Sequence, residues 1–514
     1  MKKAMTTFWN NSKNHKREIS FAFTALFLIL LYASKTIKGS NDKFYSIIGF
    51  STLFIATAFS IFLCFFSRKK NFSISKAWII MAFGFGLLRI FIITPFSVWD
   101  EHGHYEISYR YSDFLLFKFK SPHLMDKNHA DYSNLEIQNN TKTAYLRYIE
   151  PFFLKETEKV DKERVPSTPN PVQYLPQAFG FAIARIFHFN FMPLFLLGRL
   201  CNLLFYIFCL WLAIKTIPFG KLIIFTCGLL PLTLHQAASL SLDSYIIAIS
   251  FLFFAFLIKS SVSEESATVK EILILCVFSV LISPSKLIYW PISLLAFVIP
   301  QKRFENKKLW FFSASAVAVS GLLSILIFSL PSLLNQVSAS ETAKILYNGE
   351  IGWTMKDILK NPARITNMAL RTLRYTWADW ISQSFGLIIM GLPQEVPIWC
   401  RQIHLYLLII SSLVCYTSNT EHEVLNKIQK TGLAFVILSV VALALLGELV
   451  IWTPLSASSI EGVQGRYFLP IFPLILFLFR NKIFVTTRNL EKAVFVTEIF
   501  LQYYIVFMSV NLTL

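Results

Sequence analysis

Charged residues are scarce in this sequence, and acidic residues are scarcer than basic ones. Only 15% of the 514 residues are charged, whereas 55% are hydrophobic. This composition, with many apolar runs of about 20 residues, excludes an ordinary soluble protein and predicts a membrane protein with many spans. The net charge of +18 does not indicate a nucleic-acid partner, because lysine and arginine cluster in short segments between apolar runs, as membrane topology favours.

Cysteine spacing gives no sign of a disulfide framework or a zinc site. Of the seven cysteines, all but Cys400 lie within predicted spans. Short-period repeats and low-complexity tracts are also absent. The basic first 18 residues precede an apolar segment at 21–34 that has no clear small-residue cleavage site, so we interpret this segment as a retained first span.

The apolar runs predict an all-α polytopic integral membrane protein with about thirteen transmembrane helices. The run 272–299 is too long for one span and is interrupted at 283–286, so we predict two short helices joined by a turn on the outer side. The other predicted spans lie near 19–36, 45–66, 77–95, 190–216, 222–240, 244–258, 309–330, 402–417, 431–452, 467–480 and 493–512.

Basic turns orient the predicted helices. The turns at 67–70 and 301–308 are rich in lysine and arginine and are therefore placed in the cytoplasm. Three large loops are then external, at 96–189, 331–401 and 453–466. The predicted organisation is an N-terminal segment with two extra spans at 1–76, a transmembrane core at 77–480 and a C-terminal span at 481–514.

The polar stretch 97–105 directly follows the third predicted span and contains two adjacent carboxylates. Asp100 and His104 are four residues apart and share a face if the stretch is helical. A carboxylate here can remove a proton from an incoming hydroxyl, with Glu101 and His104 orienting it or adjusting its pKa. The same oxygens can ligate a divalent cation. The alternative is that Asp100 only caps a helix.

Two cations, Lys286 and Arg466, lie at the outer ends of predicted spans. Arginine binds phosphate through a fixed fork and lysine through a point charge, so the pair can hold a lipid-linked phosphate. Anchoring to lipid head groups is the alternative for both. The glycines beside Arg466 indicate a close approach of the backbone.

Other polar residues near span ends are candidates for substrate binding. Arg199, His235 and Asp243 fall on or beside spans in the middle of the chain, while Gln173 and Tyr174 follow a proline turn. The alternatives are hydrogen bonding between helices for Arg199 and His235, helix capping for Asp243, and loop packing for Gln173 and Tyr174.

Several of these segments together resemble the bacterial membrane-protein family known as domain of unknown function 2142. The matching stretches occur in the order of that family across most of the chain, and the two most specific ones surround His235 and Arg466. They are 99–104, 174–178, 198–202, 230–243, 283–289, 384–386 and 462–468.

That family looks like a branch of the GT-C superfamily of membrane glycosyltransferases. The resemblance implies a sugar donor carried on a polyprenyl phosphate and an acidic base in the first external loop. Carried over residue by residue, Asp100 becomes the base, Glu101 and His104 its neighbours, and Lys286 and Arg466 the donor-phosphate ligands. The sequence departs from the family pattern at Trp99, where proline is expected.

We therefore expect an enzyme, an inverting or retaining glycosyltransferase in the bacterial cytoplasmic membrane with its active site outside. Its partners would be a polyprenyl-phosphate sugar, a glycan or lipid-linked acceptor and membrane lipids. No cofactor is certain, and a divalent cation is optional. A polysaccharide polymerase or ligase is the alternative within the enzymes, and a lipid-linked-glycan flippase is the alternative outside them, although a flippase should carry charges at mid-membrane depth.

Overall fold

The computed structural model describes residues 16–39, 43–118, 124–126, 129, 159–161, 170–339, 349–389, 392–416, 424–486 and 490–513. Its α-helices are α1 Lys16–Gly39, α2 Lys43–Phe66, α3 Ile74–Ile92, α4 Glu101–Leu115, α5 Leu175–Ile186, α6 Phe191–Thr216, α7 Lys221–Gly228, α8 Pro231–Ala237, α9 Leu242–Val262, α10 Val269–Ile282, α11 Lys307–Ala339, α12 Met355–Lys360, α13 Pro362–Ser384, α14 Ile398–Leu413, α15 Lys427–Ile451, α16 Phe472–Phe479 and α17 Leu490–Thr513. The 3₁₀ segments are Val172–Tyr174, Leu287–Val298, Gln301–Arg303 and Gly465–Ile471.

Short strands form three two-stranded pairs. β1 Leu124–Asp126 and β2 Lys159–Asp161 are antiparallel, as are β3 Leu387–Ile389 and β4 Leu392–Gln394. β5 Val414–Tyr416 and β6 Phe484–Thr486 are parallel. These pairs are small additions to a mainly helical multi-pass membrane protein, as the composition predicts.

Eight helices of the described chain are long and apolar enough to cross a membrane: α1, α2, α3, α6, α9, α11, α15 and α17. This is fewer than the number predicted, because several predicted spans are short or broken. Three further apolar segments are shorter, at Leu287–Val298, Ile398–Leu413 and Gly465–Phe479. The predicted span near 222–240 is divided into α7 and α8, because Pro231 begins a new helix and has no N–H to continue the first.

Buried polar side chains satisfy the backbone at this break. The Gln502 amide donates to the Leu229 carbonyl at 2.7 Å, and Arg89 donates to the Pro231 carbonyl at 3.3 Å and to the Gln502 side chain at 2.8 Å. Tyr206 donates to the Gly228 carbonyl at 2.8 Å. Unpaired carbonyls are costly in an apolar medium, so these contacts explain why an arginine is fully buried inside α3.

The break predicted at 283–286 is present. Helix α10 ends at Ile282, and the chain continues as the 3₁₀ segment Leu287–Val298, with Pro291 inside it. Lys286 precedes this segment in an extended conformation. The predicted turn therefore places a lysine at one end of two short apolar elements.

The first predicted external loop contains two helices that pack together. Helix α4 begins at Glu101, inside the polar stretch 97–105, and α5 begins at Leu175, directly after the proline turn. Arg185 of α5 pairs with Asp113 of α4 at 2.8 Å. Much of this loop, part of the loop 331–401 and the basic residues before Lys16 lie outside the described residues.

The two ends of the bundle differ in charge. Helices α3, α9 and α15 each have one end near Asp100, Asp243 or Glu448 and the other end beside a basic segment. At that second end Lys430 donates to the Arg480 carbonyl at 2.6 Å, and Arg303 donates to the Ser260 carbonyl at 2.6 Å. The lysine-rich and arginine-rich turns thus lie opposite the site described next.

Candidate active site

Four charged residues that are far apart in the sequence form one row of ion pairs, the four-charge row. Arg466 Nη2 donates to Asp100 Oδ2 at 2.7 Å. The second guanidinium nitrogen, Nη1, lies 3.3 Å from Asp243 Oδ2. Lys286 Nζ donates to Asp243 Oδ1 at 2.6 Å. The row alternates in sign, so its own charges sum to zero.

Each member comes from the end of a different element. Asp100 lies directly before α4, and Asp243 is in the first turn of α9. Lys286 precedes the 3₁₀ segment after α10, and Arg466 lies in the 3₁₀ segment after α15. Because these four ends meet, residues from 100 to 466 share one site at one end of the bundle.

Asp100 does not cap the helix with its side chain. It occupies the N-cap position of α4 with φ 61° and ψ 5°, and its carboxylate makes no capping hydrogen bond. The left-handed conformation costs a non-glycine residue free energy, although aspartate tolerates it better than most. Its side chain is 63% exposed. The carboxylate is therefore held beside Arg466 yet stays open to an incoming molecule.

The Arg466 side chain is buried and packs against aromatic rings. It is only 6% exposed, and its guanidinium lies 5.1 Å from the Trp99 ring centroid and 5.7 Å from that of Tyr467. The preceding Gly465 has no room for a side chain, because an added Cβ would lie 2.2 Å from the Trp380 carbonyl oxygen. The Gly465 N–H also donates to the Gln383 side chain at 2.7 Å. This confirms the close backbone approach predicted beside Arg466.

Lys286 is the more accessible cation, with 28% of its side chain exposed. Its ammonium lies 4.9 Å from the Tyr467 ring centroid. Tyr289 donates to the Tyr467 carbonyl at 3.0 Å and so ties the two cation-bearing segments together. The Tyr467 hydroxyl bonds in turn to the Glu448 carboxylate of α15. Tyr467 thus supports both Arg466 and Lys286.

His104 lines the same site in a neutral form. Its Nδ1 lies 2.9 Å from the Tyr174 hydroxyl. Burial lowers the pKa of His104 to about 4, although the nearby carboxylates Asp100 and Asp243 oppose this shift. Burial also raises the pKa of the Tyr174 hydroxyl. Gln173, the other candidate from the proline turn, is buried beside Tyr174.

Glu101 and Arg199 form a separate, fully buried pair. Arg199 donates to the two Glu101 carboxylate oxygens at 2.9 and 2.7 Å and to the carbonyls of Ile93 and Thr94 at 2.5 and 3.1 Å. Glu101 also accepts from the Leu240 N–H at 3.0 Å. Glu101, expected beside the base, and Arg199, expected at substrate, instead join α4 to α6 and to the end of α3.

His235 is also buried away from the four-charge row. Its Nε2 lies 2.7 Å from the carbonyl oxygen of Ile388 in β3. The backbone after it is held by amides, with Asn202 donating to the Ser239 carbonyl at 2.7 Å and Gln177 to the Leu240 carbonyl at 3.3 Å. The motif around His235 therefore holds a turn that places Asp243 at the start of α9.

Three residues at the site were not predicted from the sequence. Trp99, Tyr467 and Glu448 contact the two cations or support them. The available signals were a tryptophan directly before Asp100 and one glutamate inside the apolar run of α15. Neither signal identifies a partner, because the partners come from other elements.

An apolar groove of about 550 Å³ adjoins the site. Val172, Phe179, Tyr245 and Leu281 are among the residues that line it, and it faces away from the bundle between α5, α6, α9 and α10. Val172 is two residues before Tyr174, and Tyr245 is two residues after Asp243. The groove thus lies within a few residues, along the chain, of Tyr174 and Asp243, although no member of the four-charge row lines it.

Within the described ranges, no group of three or more histidine, cysteine, aspartate or glutamate side chains can hold a metal ion. Asp100 and Asp243 are each bound to a cation of the protein. The arrangement can therefore bind an anion through its cations and accept a proton through Asp100.

The comparisons with known proteins identify a family. A family model described as predicted membrane protein (DUF2142) matches residues 83–475. The match begins within α3, ends at α16 and includes the whole four-charge row, while α1, α2 and α17 lie outside it. Searches of curated proteins and of solved structures gave no match.

Proposed function

The chain belongs to this membrane-protein family, domain of unknown function 2142, and from its site geometry we propose that it is a membrane glycosyltransferase. It transfers a sugar from a polyprenyl-phosphate-linked donor to a glycan acceptor of the cell envelope. The proposal includes a GT-C-like arrangement with about thirteen membrane crossings, counting short and broken elements. The site faces the outside of the bacterial cytoplasmic membrane.

One observation carries this proposal: an exposed carboxylate lies 2.7 Å from a buried arginine that belongs to a row with a second cation. A base must reach the acceptor hydroxyl, and Asp100 is exposed enough to do so. A departing phosphate must be stabilised by fixed positive groups, and Arg466 and Lys286 are fixed by their aromatic and carboxylate neighbours.

In the proposed reaction, the acceptor hydroxyl loses its proton to the Asp100 carboxylate. The hydroxyl oxygen forms a bond to the anomeric carbon of the donor sugar. The bond between that carbon and the phosphate oxygen breaks, and the polyprenyl phosphate leaves with the electron pair. Arg466 and Lys286 stabilise the charge of the leaving phosphate, so each exchanges part of its contact with Asp100 or Asp243 for phosphate oxygens.

The apolar groove supports a lipid-linked donor. It is lined almost entirely by apolar atoms, from residues that include Leu175, directly after Tyr174, and Tyr245, two residues after Asp243, so a prenyl chain can lie in it. A nucleotide sugar would leave the groove empty. This geometry favours a donor with a hydrocarbon tail.

The charge asymmetry supports an external site. Basic segments gather at the end of the bundle opposite the four-charge row, and such segments stay in the cytoplasm. Gly103 offers a test of this orientation, because a side chain added there would meet no atom within 4 Å. In the variant Gly103→Cys, a membrane-impermeant maleimide should label intact spheroplasts. Labelling only after the membrane is opened would place the site in the cytoplasm.

Arg89 and Glu498 bear on the flippase alternative, since both are buried inside spans. They meet through Gln502, which bonds to both side chains. Arg89 and Gln502 also donate to the carbonyls at the α7–α8 break, so Arg89 has a structural role there and Glu498 is held beside it through Gln502. A polymerase or ligase would use the same four-charge row with a different acceptor.

Donor cleavage tests the proposal directly. The full chain in lipid nanodiscs should release polyprenyl phosphate from synthetic polyprenyl-phosphate hexoses when a crude cell-wall glycan is added, as followed by mass spectrometry. Nucleotide-linked forms of the same sugars should stay intact. The proposal would be overturned by consumption of nucleotide sugars in place of the lipid-linked ones, or by translocation of an intact lipid-linked glycan without release of polyprenyl phosphate.

A further inference from the structure

A second cavity, of about 240 Å³, has Trp99 in its wall and is lined by both polar and apolar residues. Its lining comes from α13, from the β3–β4 pair and from the residues that follow β4. Asp379, Ser382, Gln383, Gln394 and Glu395 contribute its polar side chains. The reaction proposed above assigns no role to this cavity.

The cavity adjoins the reacting groups through two residues. Trp99 lines it and directly precedes Asp100, and the Trp99 ring also lies against Arg466 at 5.1 Å. Gln383 lines it and accepts the Gly465 N–H at 2.7 Å, one residue before Arg466. Trp99 and Gln383 therefore connect the cavity to the segments that carry Asp100 and Arg466.

The lining has the chemistry of a saccharide site. Carboxylates and amides accept hydrogen bonds from hydroxyl groups, and the Trp99 indole offers an apolar surface for the face of a sugar ring. Two of the lining side chains are acidic and none is basic. Arg401 does not line the cavity. Its guanidinium nitrogen Nη2 lies 3.5 Å from the Glu395 carboxylate and so balances the charge of that lining residue.

A buried amide near this wall also has no partner. Gln236 is fully buried, and neither its side-chain oxygen nor its side-chain nitrogen has a hydrogen bond. It lies one helical turn after Leu232, which lines the cavity. Gln236 does not itself line the cavity, so this unpaired amide costs free energy inside α8 and is not a contact for a bound molecule.

We propose that this cavity is the acceptor subsite and that it binds the terminal unit of an uncharged or amine-bearing saccharide. The inference rests on the proposed glycosyl transfer and selects among its acceptors. Phosphate-bearing polymers of the teichoic-acid type are excluded, because their charge is repelled by Asp379 and Glu395. One unit is the expected occupant, since the cavity is smaller than the roughly 300–1,000 Å³ of pockets that enclose drug-sized ligands.

Binding of simple glycosides, measured without donor, tests this subsite. Saturation-transfer NMR on the full chain in nanodiscs should detect at least one of the methyl glycosides of glucose, galactose, mannose, N-acetylglucosamine and glucosamine. Glycerol 3-phosphate should give no signal. The variant Asp379→Asn should weaken the bound glycoside about tenfold, the usual effect of losing a charged acceptor. The matched control Glu461→Gln removes an exposed carboxylate that does not line the cavity and should change nothing.

The outcomes separate this inference from the proposed transfer. Glycoside binding that persists in Asp100→Asn while donor cleavage is lost supports both. Binding without donor cleavage in the wild-type chain would retain the saccharide site and reject the transfer. Donor cleavage with no glycoside signal, with a signal unaffected by Asp379→Asn, or with binding of glycerol 3-phosphate instead, would overturn the subsite.

Discussion

Asp100 and Glu101 are neighbours in the sequence but have opposite environments. The Asp100 side chain is 63% exposed and is bound by one guanidinium nitrogen, whereas the Glu101 side chain is fully buried. Both oxygens of Glu101 are occupied by Arg199, and one also accepts the Leu240 N–H. Two adjacent carboxylates can therefore have different roles: the exposed Asp100 can react, while the buried Glu101 holds the backbone in place.

The buried member explains how the exposed one keeps its conformation. Asp100 has φ 61°, which is strained for a residue with a side chain. The residue after it is anchored by Arg199, which also binds the carbonyls of Ile93 and Thr94 at the end of α3. The chain on both sides of Asp100 is thereby tied to one buried guanidinium, which holds the turn in place.

The variant Asp100→Asn should give the largest effect. Asparagine keeps the size and tolerates the left-handed backbone, but it cannot accept the acceptor's proton, so transfer should fall about 10²–10⁴-fold. Yield and thermal stability should stay close to those of the wild-type chain. The measurement is polyprenyl-phosphate release, with Glu461→Gln as the exposed-carboxylate control. Transfer within a few-fold of wild type in Asp100→Asn would remove Asp100 from the mechanism.

The variant Glu101→Gln should act on stability first. It leaves the buried Arg199 without its counter-charge, and breaking a buried ion pair costs about 3–5 kcal/mol. A lower unfolding temperature in detergent and a reduced yield are the expected readouts. The double variant Glu101→Gln with Arg199→Met should recover part of the loss, since no charge is then left unpaired. A stable but inactive Glu101→Gln protein would instead make Glu101 the base and break the comparison.

Replacing Arg466 by lysine should have an intermediate effect. A lysine cannot bind Asp100 and Asp243 at once as the guanidinium does, so transfer should fall about 10- to 100-fold, corresponding to one or two charge-assisted hydrogen bonds. The KM for the lipid-linked donor should rise. Lys286→Met should cost less than Arg466→Lys, because Lys286 is more exposed and binds only Asp243. A larger loss of transfer in Lys286→Met than in Arg466→Lys would make Lys286 the main ligand of the phosphate.

The sequence was sufficient for most of the fold because apolar runs decide where helices cross a membrane. It also predicted the break before Lys286, since Ser-Pro-Ser-Lys interrupts an overlong apolar run. The break before Pro231 was missed, because a proline in an apolar run is tolerated in many membrane helices. Its stabilising groups, Arg89 and Gln502, lie far away in the sequence, on α3 and α17.

The site was predicted in outline but not in its pairings. Asp100, Lys286 and Arg466 were predicted as site residues because they lie at the ends of predicted spans. The structure brings them together through Asp243. Their chemical roles stay predictions. The sequence could not separate Asp100 from Glu101, because that depends on Arg199, a residue about a hundred positions later that binds only one of the two.

The smallest expected effect concerns His104. It tests whether the protein excludes water from the His104 imidazole as it does from the Glu101 carboxylate. The pKa of His104, about 4, lies below the usual value of about 6.5, so the unfolded chain takes up the proton first as pH falls. The folded state should therefore lose stability between about pH 6.5 and about pH 4, while nothing changes above that window.

The variant His104→Gln removes this loss, so its unfolding temperature should fall less than that of the wild-type chain on going from about pH 7.5 to about pH 5. Transfer at neutral pH should drop only about two- to tenfold, because one hydrogen bond to Tyr174 is replaced. Equal pH dependence in both proteins would mean that folding leaves the pKa of His104 near its usual value, so that the imidazole is solvated beside Asp100.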